Sequence, residues 1–165
     1  MIQDKMTSLR ESLGEVYDLR AAIALLQWDQ EVNMPPKGAQ ARGSQLATLS
    51  ALAHRAFTAP ALGALLEDLT DQCDALSADE RLLVAETRHD YLRATRLPEA
   101  FVHEFAAAQS AAYEAWAAAR TRSDFAAFCP HLETMVSLLR RRAEYMGYAE
   151  SPYDALLEDY ERGMR

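Results

Sequence analysis

Apolar residues recur at helical spacing along most of the chain, and no stretch alternates between apolar and polar residues over the length of a strand. The first segment carries two apolar rows, which predict one long helix that runs to about Trp28. The first row contains Leu9, Leu13, Val16 and Tyr17, and the second contains Leu19, Ile23 and Leu26. Because the second half is apolar on most sides, we expect the C-terminal end of this helix to be the more buried.

Prolines and capping residues divide the rest of the chain into further helices. Pro35-Pro36 must end the first helix, because proline lacks the amide donor and disfavours helical geometry in the residue before it. Later boundaries are a break at Thr58-Ala59-Pro60, a capping box at Ser77–Glu80 and a restart at Leu97-Pro98-Glu99. Beyond these come a cap candidate at Ser123-Asp124, an apolar repeat from Leu132 to Met146 after Pro130, and a short helix from Ser151-Pro152 to Gly163.

These signals predict an all-α fold, a multi-helix bundle of about seven helices in a single domain over residues 1–165. The formal net charge of −8 argues against a nucleic-acid-binding surface, which needs Lys and Arg. Arg140-Arg141-Arg142 is the one basic run, and we interpret it as a solvated helix face. The two cysteines, Cys73 and Cys129, have no metal-binding spacing. With no signal-peptide core or membrane-length apolar run, we expect a cytoplasmic protein.

Candidate metal ligands are scattered along the sequence. Two histidines four residues apart on a helix, with a glutamate after the first, form a common zinc site. His103-Glu104 begins such a pattern, but Ala107 occupies the second histidine position. We therefore expect His103-Glu104 to be a surface pair and the chain to hold no metal or other cofactor. Glu86, His89 and Asp90 could share a helix face, either as part of a metal site or, as we favour, as ion-pair partners of basic groups such as Arg93.

Four ordered motifs resemble the carboxypeptidase Taq family of metallocarboxypeptidases. The first is Trp28-Asp29-Gln30-Glu31-Val32-Asn33-Met34-Pro35-Pro36, followed by Gly38 and Ala41-Arg42-Gly43. The others are 46–54, 93–98 and 151–161, the last with Ser151 where the family usually has histidine. The resemblance implies the N-terminal part of a helical, deeply cleft peptidase that removes C-terminal residues from peptides, with the early helices as a wall or lid over the groove. It also implies zinc or another divalent metal, bound by a catalytic part that these residues do not include.

No catalytic residue is carried over from the family, because none of its zinc ligands has a counterpart here. The residues of unknown role are Trp28, Asp29, Glu31, Met34, Pro35 and Arg42, which we call the signature residues. Three roles are open for them: orienting the lid, reaching the cleft, or packing the helix junction. We expect Trp28 to be largely buried at the junction of the first two helices.

Two functions are compatible with this sequence. The first is the N-terminal lid or scaffold of a metal-dependent carboxypeptidase, inactive alone because the zinc motif is absent, and in contact with peptide substrate only within a full-length enzyme. The alternative is a self-standing helical module that oligomerises or binds another protein. In either case apolar residues on several helix faces, notably 21–28 and 101–116, lead us to expect a homo-oligomer.

Overall fold

The computed structural model describes residues 1–164 as seven α-helices with no strand among them. The helices are α1 (Ile2–Val32), α2 (Ala39–Phe57), α3 (Pro60–Asp71), α4 (Ala78–Ala94), α5 (Glu99–Arg122), α6 (Phe125–Met146) and α7 (Pro152–Leu157). Two short 3₁₀ turns, Pro36–Gly38 and Cys73–Ala75, lie between helices. The predicted all-α fold and the predicted helix number are confirmed.

Several helix starts follow directly from their sequence signals. Pro60 and Pro152 stand at the first position of their helices, where a missing amide removes no hydrogen bond. Ser77 caps α4: its hydroxyl accepts from the Glu80 amide at 3.3 Å, and the Glu80 carboxylate accepts from the Ser77 amide at 3.1 Å. The predicted capping box is therefore present.

The predicted cap at Ser123-Asp124 is confirmed, and the predicted end of the last helix is wrong. Asp124 caps α6 by accepting from the Ala127 amide at 3.1 Å, and the helix then continues through Pro130. Proline at this sixth position removes one backbone hydrogen bond, but the residues on both sides hold the helix together. The last helix ends at Leu157 rather than Gly163, whose amide instead donates to the Glu158 carboxylate at 2.7 Å and closes a turn.

The main hydrophobic core surrounds the first half of α1. This core contains Met6, Leu9, Val16, Phe57, Leu62, Leu66, Leu69, Leu76 and Val84, contributed by α1 to α4 and the turn before α4. The expectation that the C-terminal end of α1 is the more buried is therefore wrong. The α1 side chains buried in this core, Met6, Leu9 and Val16, all lie in its first half. The second half contacts α2 through Asp29 and α5 through Gln30.

Helix α2 makes the two most extensive helix–helix contacts of the fold, one with α5 and one with α1. Buried alanines such as Ala47, Ala51 and Ala112 let the α2 and α5 backbones approach closely. Helix α6 packs on α5, and α7 packs on α6 around Ala143 and Met146. Helix α2 thus has α1 on one flank and α5 on another, and a groove remains between α1 and α5.

Within the described residues, no helix is both long enough and apolar enough to cross a membrane. The basic run on α6 is only partly a solvated face. Arg141 forms an ion pair with Glu104 at 2.7 Å, and Arg142 forms one with Asp159 at 2.7 Å. Cys73 and Cys129 are both free thiols.

Candidate functional site

The signature residues lie at the connection between α1 and α2. Helix α1 closes on the Asp29 carbonyl, which accepts from the amides of both Asn33 and Met34 at 2.9 Å. Pro35 then adopts an extended conformation and the chain passes through a single 3₁₀ turn into α2. A Cβ at Gly38 would lie 3.1 Å from the Met34 Cγ, so a glycine allows the turn to fold against Met34.

Arg42 fastens the two helices together. Its Nη2 donates to the Asp29 carboxylate at 2.6 Å, and its Nη1 donates to the Leu26 carbonyl. Its Nε donates to the Gln45 side chain at 3.2 Å, so all three nitrogens have acceptors. The Arg42 side chain is only 13% exposed and that of Asp29 is 35% exposed, which limits the screening of their ion pair by water.

Gln30 connects the same end of α1 to α5. The side chain is 8% exposed, and its amide nitrogen lies 3.0 Å from the Ser110 hydroxyl and 3.0 Å from the Glu114 carboxylate. The Ser110 hydroxyl can in turn donate to the Gln30 amide oxygen at 3.2 Å. Sequence reasoning missed this buried polar contact. The available signals were a glutamine between two acids in the signature and a serine within an alanine-rich helix.

Trp28 points away from this network. It is 55% exposed, so the prediction that it is largely buried is wrong. A helix turns about 100° per residue, so Trp28 lies about 200° around α1 from the buried Gln30. Leu25 and Val32 are 63% and 62% exposed on the same side. Leu25, Trp28 and Val32 follow each other at spacings of three and four residues and form an apolar row, which we call the α1 stripe.

The structure thus separates the signature residues into two groups. Asp29, Met34 and Arg42 come together at the helix junction. Trp28, Glu31 and Pro35 are exposed to solvent. The junction group packs the connection and orients α1, whereas the exposed group is open to contact with another molecule or chain segment.

The alternative metal ligands do not converge. Glu86 pairs with Arg162 and His89 lies 3.5 Å from Glu158, while Arg93 pairs with Asp159 rather than with the acids of its own helix. His103 and Glu104 are exposed on α5, as expected of a surface pair. Across residues 1–164 no group of three or more His, Cys, Asp or Glu side chains is placed to hold a metal.

Carboxyl groups with shifted pKa values occur away from the junction. The backbone amide of Gly163 lowers the pKa of Glu158, and the backbone amide of Ser77 lowers the pKa of Glu80. A hydrogen bond from Arg55 lowers the pKa of Glu99. Each shift follows from hydrogen bonds that stabilise the carboxylate form. Those to Glu158 and Glu80 close a turn and a helix cap, and those to Glu99 link α5 to α2.

The sequence matches a known protein family over nearly its whole length. The model of the carboxypeptidase Taq (M32) metallopeptidase family matches residues 8–165. The chain belongs to this family. The metallopeptidases of the family imply a divalent metal, but the side chains in residues 1–164 do not fit one, and no chemical step through a metal is assigned to them.

Curated relatives are similar to the chain over nearly its whole length. It is 37% identical to thermostable carboxypeptidase 1 of Pyrococcus furiosus over 150 residues, which are 91% of this chain and 30% of that protein. It is 34% identical to carboxypeptidase 1 of Bacillus subtilis over 143 residues, which are 87% of this chain and 28% of that protein. The chain therefore spans about a third of the length of these relatives.

The chain also covers about a third of each solved structure that it matches. The crystal structure of BsuCP matches with a TM-score of 0.95 and 30% identity, over 98% of this chain and 33% of that one. The M32 carboxypeptidase from Deinococcus radiodurans matches with a TM-score of 0.76 and 32% identity, over 98% of this chain and 32% of that one. The same helix arrangement thus occurs within chains about three times as long.

Proposed function

We propose that this helical unit is the N-terminal wall or lid of a metal-dependent carboxypeptidase that removes C-terminal residues from peptides. A catalytic part outside residues 1–165 supplies the metal ligands and the general base. Without that part the unit has no peptidase activity. The observation that carries the proposal is the α1 stripe, an ordered apolar surface that residues 1–164 leave open.

The structure around the stripe supports a role in contact rather than in catalysis. Arg42 and Gln30 hold α1 on α2 and α5 by hydrogen bonds on the side opposite Trp28. The stripe is therefore presented on a helix whose position is fixed, which reduces the entropy lost when another surface packs on it. A tryptophan in such a position is typical of the residues that contribute most to an interface, and the two aliphatic side chains beside it add apolar surface.

Enzyme assays on two proteins test the proposal. One is the isolated chain, and the other is a chimera in which it replaces the matching N-terminal part of Bacillus subtilis carboxypeptidase 1. With zinc or cobalt present, the chimera should release the C-terminal residue of a blocked peptide and the isolated chain should release none. Release by the isolated chain would contradict the proposal. A folded, metal-loaded chimera without activity, its folding checked by circular dichroism, would also contradict it.

The alternative function is a self-standing module that forms homo-oligomers, and the same stripe favours it. An apolar row without a partner on its own chain tends to find one on another copy, and a two-fold arrangement would pair the row with itself. For both functions we propose a cytoplasmic location, because free thiols such as that of the exposed Cys73 are typical of reducing compartments. An oligomer whose formation is unaffected by substitutions in the stripe would remove the support for this alternative.

A further inference from the structure

Two of the four family motifs, 93–98 and 151–161, do not contribute to the α1–α2 connection, and the structure brings them together. In the first motif Arg93 donates from Nη2 to the Oδ1 of Asp159, in the second motif, at 2.9 Å. The other oxygen of this carboxylate, Oδ2, lies 2.7 Å from the Arg142 Nη2 on α6. One carboxylate after α7 therefore links α4 to α6.

The residues that follow α7, 158–163, form a short segment that we call the strap. It lies along one face of α4 and contacts that face through polar and charged side chains. The contacts are Glu86 with Arg162, His89 Nε2 with Glu158 Oε1 at 3.5 Å, and Arg93 with Asp159. Positions 86, 89 and 93 are three and four residues apart, so their side chains share a helix face.

Polar contacts hold the strap to the bundle. None of its side chains belongs to the core around α1 or to the second cluster, which Ala143, Met146 and Ala155 form. Its one aromatic side chain, that of Tyr160, is 88% exposed. A segment that buries no apolar side chain can detach while the core stays folded. Helix α7 itself remains anchored through Ala155 when the strap detaches.

Two arginines on different helices share the Asp159 carboxylate. Arg142 forms no other ion pair with residues 1–164, and its Nε is buried without a hydrogen-bond partner among them. Within the same residues Arg93 otherwise donates only to the Ala155 carbonyl, at 3.5 Å. The side chains of Arg93 and Arg142 are 18% and 27% exposed, so water screens their mutual repulsion incompletely. Without the carboxylate, α4 and α6 would hold two like charges close together.

We propose that the strap is a releasable fastening between α4 and α6, and that the Asp159 carboxylate closes it. Each oxygen of this carboxylate serves a different arginine. An amide has one accepting oxygen and one NH₂ group, so Asp159→Asn keeps only one of the two contacts. Once the fastening opens, residues 158–163 move independently of α4 while the seven helices keep their packing.

The consequence for an enzyme rests on the proposed function. In a full-length enzyme the chain continues from the strap into the catalytic part. A closed strap then fixes the direction in which the chain leaves the helical unit, and an open strap lets the two parts change their relative orientation. The fastening itself is a property of residues 1–164, so it is tested on this chain alone.

Nitrogen-15 relaxation, measured by NMR on this chain at a concentration at which it is monomeric, tests the fastening. Backbone order parameters of the wild-type strap should equal those of the helices, about 0.85. Asp159→Asn should lower them below about 0.6 at positions 160–163, while the helices keep theirs. Arg93→Gln should act in the same direction, because it removes the α4 side of the bridge. Glu67→Gln is the matched control, since it removes a carboxylate that pairs with Arg88 at 3.0 Å and links α3 to α4.

A strap that stays rigid in Asp159→Asn or in Arg93→Gln, or that loosens as much in Glu67→Gln, would overturn the fastening. A loss of order spread over the helices would also overturn it, because Asp159 would then support the whole fold rather than the strap. Inactivity of the chimera would instead remove the proposed function and leave the fastening in place, because the relaxation measurement involves no catalytic part.

Discussion

At the scale of single residues, Arg42 does more than any other signature residue to fix the site. One planar guanidinium reaches a carboxylate and a carbonyl on α1 and an amide oxygen on α2. A lysine ammonium is a compact charge and cannot take these three directions at once. Replacing Arg42 would leave the Asp29 carboxylate partly buried without its cation, and leave the Leu26 carbonyl without its second donor.

We expect Arg42→Ala to lower the free energy of unfolding by about 2–4 kcal/mol, because several hydrogen bonds to partly buried groups are lost together. Arg42→Lys should recover only part of this loss. Urea denaturation of the three proteins measures both changes. Arg81→Ala, at an exposed position, should change the free energy by no more than about 0.5 kcal/mol. An Arg42→Ala protein as stable as this control would contradict the account of the junction.

Trp28 contributes less than Arg42 to the stability of the isolated chain, because its side chain is more than half exposed. Trp28→Ala should cost the isolated chain about 1–2 kcal/mol, since more than half of the side chain is already exposed and no enclosed cavity forms. Phe57→Ala is the contrast: Phe57 is 5% exposed in the main core, and its loss should cost about 3–5 kcal/mol. Thermal melts in one buffer compare the two. A Trp28→Ala loss as large as that of Phe57→Ala would show that Trp28 is buried after all.

At the scale of helices, the capping box at the start of α4 makes the stability depend on pH. The Ser77 amide and hydroxyl lower the pKa of the Glu80 carboxyl in the folded state. A lowered folded-state pKa means that the carboxylate contributes stability at neutral pH, which is lost as the pH falls from the ordinary glutamate range through the lowered value. The same sign applies to Asp68 and Glu99, which Lys5 and Arg55 hold in the charged form.

Glu80→Gln should remove part of this pH dependence. Glutamine can still accept from the Ser77 amide, so the cap is kept while the charge is lost. The melting temperatures of wild type and variant should therefore differ at neutral pH and converge in acid. Glu11→Gln, at an exposed position of α1, is the control. Its melting temperature should differ from that of wild type by nearly the same amount at every pH. A difference in melting temperature between wild type and Glu80→Gln that is the same at every pH would contradict the proposed contribution of the Glu80 carboxylate to stability.

The helix order was largely predictable from local signals, but the packing was not. Proline at Pro36, Pro60 and Pro152 and the box at Ser77 act within a few residues, so their effects can be derived from sequence. The burial of Gln30 and the exposure of Trp28 depend on which side of α1 meets α2 and α5. Both sides of α1 carry apolar residues near Trp28, so periodicity alone could not choose between them.

At the scale of the whole molecule, the open stripe on α1 leads us to expect that the isolated chain associates with itself. Charge opposes this only weakly, because physiological salt screens repulsion beyond about 8 Å. Sedimentation equilibrium should show a dimer or larger species whose fraction rises with concentration. Leu25→Asp should shift the distribution to monomer, whereas Leu82→Asp on α4 should not. A wild-type chain that stays monomeric at high concentration would contradict the expectation.

We propose that a catalytic part outside residues 1–165 covers the α1 stripe in a full-length enzyme. The comparison of Leu25→Asp with Leu82→Asp tests it most directly, since these leucines are 63% and 61% exposed on the isolated chain. Unfolding of both variants is measured in the isolated chain, at a concentration at which it is monomeric, and in the chimera with the catalytic part of Bacillus subtilis carboxypeptidase 1. We predict that Leu25→Asp destabilises the chimera far more than the isolated chain and lowers its peptidase activity, while Leu82→Asp does neither. Equal, small effects of the two substitutions in the chimera would show that the stripe stays exposed to solvent and would contradict the account.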